Sequence, residues 1–273
     1  MRVVRRHLLG LVGLCILAGA VTAALGAPLW ASHDPIAGDF AASLSPPGTP
    51  GHPFGTDQLG RDVYARVLYG ARIALFIGFS TVVVTAVVGG LVGLVAGFFG
   101  GWLGAVLMRV ADVQLSFPFV LLALTINAIV GLGLRNTIIS LSAAGWVVYA
   151  RVVRGEVLSV KQRDYVQAAA ALGTGRSRIL LRHVLPNVAP SIIVVGSLQF
   201  SQFIVAEAAI SFLGFGVQPP TPAWGSMLSE SRDFLYVAWW LAAFPGAALA
   251  LTALGINLVG DWLRDVLDPK LRV

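Results

Sequence analysis

Two carboxylates, Glu207 and Asp112, fall within or beside long apolar stretches of this sequence. An ionisable group at membrane depth is costly, so each one points to a partner or to a route through the bilayer. Glu207 stands in the run Phe203-Ile-Val-Ala-Glu-Ala-Ala-Ile-Ser-Phe-Leu-Gly214, with no basic residue within a turn on either side. Two readings stay open for it: structural hydrogen bonding, or lining a wet translocation route. Asp112 follows Arg109 by three positions, the spacing of an ion pair on one helix face. The third charged feature is a cluster of seven cations: Arg151, Arg154, Lys161, Arg163, Arg176, Arg178 and Arg182. Most lie in or next to a polar insert between two apolar segments, residues 164–187, which reads as a docking surface for an outside partner.

Other chemistry is missing from the sequence. A phosphate-binding loop needs Gly-Lys followed by Ser or Thr, but Lys161 precedes Gln162 and Lys270 precedes Leu271. The chain therefore lacks that means of holding ATP and magnesium, and no catalytic set emerges. His7, His33, His52 and His183 are scattered, and the candidate acid partner is Asp57, five positions from His52, so no metal site is expected. The single cysteine, Cys15, excludes disulfides and cysteine-based metal sites within the chain. Leu14 occupies the place where lipid attachment to Cys15 would need a small residue.

Residues of this kind must be positioned by membrane helices. The chain is 57% hydrophobic and 12% charged, with a mean hydropathy of +0.82, well outside the range of soluble globular domains. Apolar runs near the ~20 residues of a helical span occur at about 8–28, 73–98, 105–131, 137–153, 188–213 and 236–260. The fourth is the shortest and contains Ser140, Ser142 and Gly145. Arg2, Arg5 and Arg6 ahead of the first run imitate a secretory signal, but the run is too long for a signal core and is taken as a retained first span.

Placing both termini in the cytoplasm puts fourteen of the nineteen Lys and Arg residues on that side, with Arg61, Arg66, Arg72, Arg135 and Arg232 opposite. The positive-inside bias therefore supports N-in and C-in. The net charge of +6 does not signal nucleic acid, because the cations lie at membrane edges rather than in one patch with interleaved aromatics. The expected division is a first helix at 1–28, a periplasmic loop at 29–71, a permease core at 72–263 with a cytoplasmic loop at 154–187, and a tail at 264–273.

The periplasmic loop has an irregular Pro- and Gly-rich part at 43–53. From Thr56 to Tyr69, the spacing of Leu59, Val63, Val67 and Leu68 predicts an amphipathic helix along the outer surface, capped by Thr56 or Asp57. Gly89, Gly93, Gly97 and Gly101 recur at four-residue intervals and predict close approach of another helix, mainly as ordinary packing. The run of Gly214, Gly216, Pro219, Pro220 and Pro222 demands a folded outer loop, in which Trp224 is expected to anchor at the interface. In the cytoplasmic insert, an Ala-rich helix should break at Gly173-Thr-Gly175 and stop at Pro186 as a short helix-turn-helix.

That insert resembles the cytoplasmic loop of ABC importer permeases, which carries Glu-Ala-Ala, a glycine about four residues on and a Leu-Pro near its end. Here Gln167, Ala168, Ala169, Gly173, Leu185 and Pro186 hold that spacing, with Gln167 where the family usually has Glu. The strings His52-Pro-Phe-Gly-Thr-Asp-Gln-Leu-Gly-Arg61, Ser211 to Met227 and Asn257-Leu-Val-Gly-Asp-Trp-Leu-Arg264 are similar to those of the peptide and nickel branch, and most closely to its second permease subunit. The resemblance implies an all-α type I permease fold of six membrane helices in the bacterial inner membrane, with no catalysis of its own. It implies four kinds of neighbour: a second homologous permease, two ATPase subunits or one fused ATPase, an extracytoplasmic substrate-binding protein, and membrane lipid. ATP and magnesium would be bound by the ATPase. Gln167, Ala168, Ala169, Gly173, Arg176, Arg178, Arg182 and Pro186 would form the coupling surface, the arginines meeting acidic or carbonyl groups of the ATPase or anionic lipid. The implied cargo is a di- or oligopeptide, with a nickel chelate second; an ion-coupled secondary transporter is the competing class.

Overall fold

The computed structural model describes residues 2–267, with side chains described for 7–266, so the charges of Arg2, Arg5, Arg6, Lys270 and Arg272 lie outside the described residues. The elements in chain order are α1 (Arg2–Trp30), α2 (Val63–Phe98), α3 (Gly101–Leu115), α4 (Phe119–Val130), α5 (Leu134–Lys161), α6 (Asp164–Ala171), α7 (Arg176–Ile179), α8 (Leu185–Phe212), α9 (Trp224–Glu230) and α10 (Trp240–Leu267). Five stretches are long and apolar enough to cross a membrane: His7–Trp30, Val63–Phe98, Leu134–Lys161, Arg176–Phe212 and Trp240–Val266.

The third expected span, 105–131, is not one helix. It is divided into α3 and α4, which meet at 92° across Ser116-Phe-Pro118, and counting this bent pair as a span gives six. Pro118 has φ −57° and ψ 129°, supplies no backbone N–H, and disfavours helical geometry in the residue before it, which explains the break. The fourth span is longer than expected, running from Leu134 to Lys161, and within it the Ser140 hydroxyl bonds back to the Asn136 carbonyl of its own helix at 2.7 Å.

The glycine spacing on α2 sets the main helix pair. A Cβ at Gly89 would lie 2.2 Å from the Trp146 carbonyl oxygen, one at Gly93 2.6 Å from that of Ala150, and one at Gly97 2.8 Å from Val157 Cβ. Those partners advance along α5 in step with the glycines, so α2 and α5 run parallel at backbone contact. Gly101 is outside this ridge: α2 ends at Phe98, Gly101 opens α3, and nothing lies within 4 Å of its Cβ position. Because α2 and α5 are parallel, α3 and α4 together must return the chain to the end at which α2 began. Lys161 closes the pair by donating to the Phe98 carbonyl at 2.6 Å, placing a cation on the C-terminus of α2.

α1 packs antiparallel on α10, with Gly10 against Trp262 and Gly13 against Leu258. At one end of the bundle, the Trp240 indole donates to the Thr56 carbonyl at 3.1 Å, tying α10 to the loop ahead of α2. That loop is compact rather than helical from Thr56. Its cap is Asp62, whose Oδ2 accepts from the Ala65 N–H at 2.9 Å, and α2 starts at Val63. Asp57 instead accepts from the backbone N–H groups of Leu59 and Arg61 and from the Arg61 side chain, which removes it as a helix cap.

Candidate functional site

The polar insert forms at the opposite end of the bundle. α6 ends in a Schellman turn: the Gly173 N–H donates to the Ala170 carbonyl and the Thr174 N–H to that of Ala169, both at 3.0 Å. Gly173 has φ +79° and open space around its Cβ position, so glycine is required there by backbone conformation rather than by crowding. The expected break at Gly173-Thr-Gly175 is therefore present, but the expected stop at Pro186 is not. α7 continues through a π-helical turn, Leu180–Val184, into α8, with the Leu185 N–H donating to the Leu180 carbonyl. The wider turn sits immediately ahead of Pro186, which lacks an N–H and is accommodated in the first turn of α8.

Two side chains anchor the insert. Val166 and Ile179 are buried with Val153, Val157, Val160, Val184 and Val188, where the ends of α5 and α8 meet. The outer face is open: Gln167, Ala168, Gly173, Arg176, Arg178, Arg182 and Pro186 are exposed and Ala169 is half-buried. Leu172 and Leu181 are 87% and 61% exposed beside them. Among the described residues, Arg176, Arg178 and Arg182 make no ion pair, so three cations and two large apolar side chains share a surface with small alanines. The sequence signal for Leu172 and Leu181 is only that of a leucine within a polar loop, which composition and spacing do not mark as exposed.

The bend between α3 and α4 opens a cleft of about 150 Å³ against α5 and α8. Its walls include Phe117, Phe119 and Val148, and three amides, Gln114, Gln199 and Gln202, supply its polarity. Gln114 is held in place: its Nε2 donates to the Ala143 and Ala144 carbonyls at 3.0 and 2.8 Å, and its Oε1 accepts from the Trp146 indole at 2.9 Å. Asn127 is fully buried between α4 and α5, with its Nδ2 3.3 Å from Thr137 Oγ1 and its Oδ1 accepting from Ser140 at 3.3 Å. Nothing in the sequence marks these amides, because uncharged polar residues that bond between helices are common in membrane proteins.

Asp112 does not pair with Arg109. It bonds Arg151 on α5, and both side chains are about half exposed. The bond lies one turn beyond the cleft toward the insert, because α3 leans on α5 and carries Asp112 across to it. Glu207 is 1% exposed and its Oε1 accepts from Ser211 Oγ at 2.6 Å. Ser211 Oγ in turn accepts from the Val217 N–H at 3.1 Å, so the carboxylate holds the start of the Gly- and Pro-rich loop. This geometry supports the structural reading of Glu207. Trp224 is not an interface anchor. It is 2% exposed and donates to the Val67 carbonyl at 3.0 Å, because α9 is folded in between α2 and α8 with Gly70 leaving room for the indole. His52 meets Asp62, at 3.1 Å, rather than Asp57.

Residues 89–273 match the family model described as binding-protein-dependent transport system inner membrane component. A di/tripeptide transport system permease protein of Pseudomonas aeruginosa is 44% identical over 265 residues, covering 95% of this chain and 88% of that protein. A dipeptide transport system permease protein of Alkalihalophilus pseudofirmus is 40% identical, covering 98% and 88%. A glutathione transport system permease protein of Escherichia coli is 44% identical over 221 residues, covering 81% and 73%. With the bundle, the insert and the cleft in place, the chain belongs to the family of binding-protein-dependent transport system inner membrane components, multi-pass proteins of the bacterial inner membrane.

Proposed function

We propose that this chain is the permease subunit of an ATP-driven importer of di- and oligopeptides, and that it forms half of the translocation pathway. The observation that carries the coupling part is the insert: Val166 and Ile179 fix it to α5 and α8, while unpaired arginines and exposed Leu172 and Leu181 face outward. An exposed apolar and basic surface of this kind fits a groove on another protein. Motion of an ATPase docked there would pass directly into α8, because α7, the π turn and α8 are continuous. Family membership carries an ATPase and a substrate-binding protein as partners; a second homologous permease across the cleft, with ATP and magnesium held by the ATPase pair, completes our reading.

Peptide cargo is supported by the named relatives and by the cleft, where the Gln199 and Gln202 amides can exchange hydrogen bonds with a peptide backbone without selecting one side chain. The proposed division keeps 29–71 periplasmic, 72–263 as permease core and 154–187 cytoplasmic, with both termini cytoplasmic. Secondary transport is not favoured, since Glu207 is occupied by Ser211 and nothing places a coupling acid on the cleft.

The test uses the assembled complex. Gly173→Val and Ala169→Glu should leave membrane insertion intact and abolish substrate-stimulated ATP hydrolysis, or release the ATPase on purification. Normal assembly and transport in both variants would overturn the coupling role. In a Cys15→Ser background, a cysteine at Ala41 should react with an impermeant thiol reagent in whole cells and one at Ser177 should not; the reverse pattern would overturn the orientation.

A further inference from the structure

His33, His52 and Asp62 come from three separate segments: the exit of α1, the turn Thr49–His52, and the N-cap of α2. The His52 N–H donates to the Thr49 carbonyl at 2.8 Å, which sets the turn and presents the imidazole to Asp62. One ligand atom from each of the three residues lies within 4.8 Å of the others. We propose that these three side chains form a binding site for a late first-row divalent cation of the zinc type, which would staple the loop between α1 and α2 to both helices.

The distances suit such an ion. Zinc holds nitrogen and oxygen ligands at about 2.0–2.1 Å in tetrahedral geometry, which sets neighbouring ligand atoms roughly 3.3–3.4 Å apart. His52 Nδ1 is 3.1 Å from Asp62 Oδ1, and His33 Nδ1 is 4.0 Å from the other carboxylate oxygen, Oδ2, so the carboxylate presents one oxygen to each imidazole. The first must open slightly and the second must close. The group that has to move is the one free to do so: His33 is 42% exposed, whereas His52 and Asp62 are 17% and 1% exposed. The two rings stack at 4.6 Å with 26° between planes, and the His33 ring would turn from this stack to aim its nitrogen at the ion.

The surroundings favour a cation. The Asp62 carboxylate is fixed by the Ala65 N–H, the kind of outer support that orients metal ligands. Arg61 is next in sequence, but its charge is spent on Asp57 and Glu230, at 2.6 and 2.7 Å. Two imidazoles and one carboxylate select zinc, copper(II), nickel or cobalt over calcium and magnesium, which prefer an all-oxygen shell. Three protein ligands leave a fourth position for water or an incoming group. Without an ion, the His52–Asp62 hydrogen bond and the ring stack are the entire interaction, and that is the competing outcome.

The experiment uses the purified complex in nanodiscs with affinity tags removed, stripped by chelator and then titrated with zinc against a chromophoric competitor. Wild type should bind one equivalent that His33→Gln and His52→Gln either lose or hold at least about tenfold more weakly. Cobalt should give visible d–d bands of a four- or five-coordinate ion in wild type and lose them in both variants. Zinc should also slow proteolysis within 43–51 in wild type alone. Asp62 is left intact because it caps α2, and equal melting temperatures of the three ion-free proteins show that the variants fold. Equal zinc stoichiometry and affinity in all three proteins, or no binding in wild type, would overturn the site.

Discussion

Arg66 on α2 and Glu230 on α9 bond at 3.0 Å across 164 positions of sequence, and the same Glu230 oxygen accepts from Arg61 at 2.7 Å. With Asp57 bonded to Arg61, this makes a largely buried network of two cations and two anions that ties the loop before α2 and the first turn of α2 to the end of α9. Arg66 is 2% exposed, so its charge is tolerable only while its partners remain.

Glu230→Gln should therefore destabilise the subunit more than a surface change would. Removing one partner of a buried pair costs about 3–5 kcal/mol, and the 23% exposure of Glu230 places the expected loss near the lower end. Thermal unfolding of the purified complex checks this. A melting temperature equal to wild type would mean that the network contributes nothing.

The α2–α5 contact predicts opposite outcomes for neighbouring glycines. Gly93→Ala puts a methyl 2.6 Å from the Ala150 carbonyl oxygen, forcing the helices apart, whereas at Gly90 the nearest atom is Ile192 Cδ1 at 3.8 Å. Gly93→Ala should lower the melting temperature and the yield of assembled complex. Gly90→Ala should match or exceed wild type, since Ala gains up to ~1 kcal/mol over Gly in a helix interior. Equal effects at both positions would show that the glycine ridge is not a packing seam.

These contrasts mark how much of the molecule was legible in the sequence. Apolar run lengths gave the membrane helices, and the four-residue glycine spacing gave a close contact whose partner, α5, could not be read from one chain. Pro118 was visible, but a proline within an apolar run is compatible with either a kink or a break, and only tertiary packing decides between them. The polar insert was legible because Gly173 and the arginines interrupt the apolar pattern. Trp224 and the Asp112–Arg151 bond were not, because local spacing offered nearer solutions, an interfacial indole and an i, i+3 pair, which the folding of α9 and the lean of α3 override. The same holds for His52, where Asp57 is nearer in sequence but Asp62 is the partner in space.

The Asp112–Arg151 bond lies beside the cleft with both groups about half exposed, so it should matter little for stability. Exposed pairs contribute about 0–1 kcal/mol. Asp112→Asn should leave the melting temperature nearly unchanged while altering uptake of charged peptides relative to neutral ones, since Arg151 then faces the proposed route unpaired. Competition uptake with acidic, basic and neutral dipeptides measures this. An unchanged preference order would place the pair away from the cargo.

Glu207 is the decisive case for separating architecture from route. Its carboxylate is enclosed by its own chain and receives the Ser211 hydroxyl, which in turn receives the Val217 N–H and so fixes the first turn of the outer loop. A glutamine oxygen can accept the same hydroxyl, whereas a leucine leaves Ser211 without its acceptor; a buried polar group left unmatched costs about 1–3 kcal/mol. Glu207→Gln should therefore keep both melting temperature and peptide uptake close to wild type. Glu207→Leu should lower the melting temperature and, by loosening the loop at 213–217, reduce uptake driven by the binding protein. Loss of uptake in Glu207→Gln at an unchanged melting temperature would instead require the negative charge itself and put this residue on the path of the cargo.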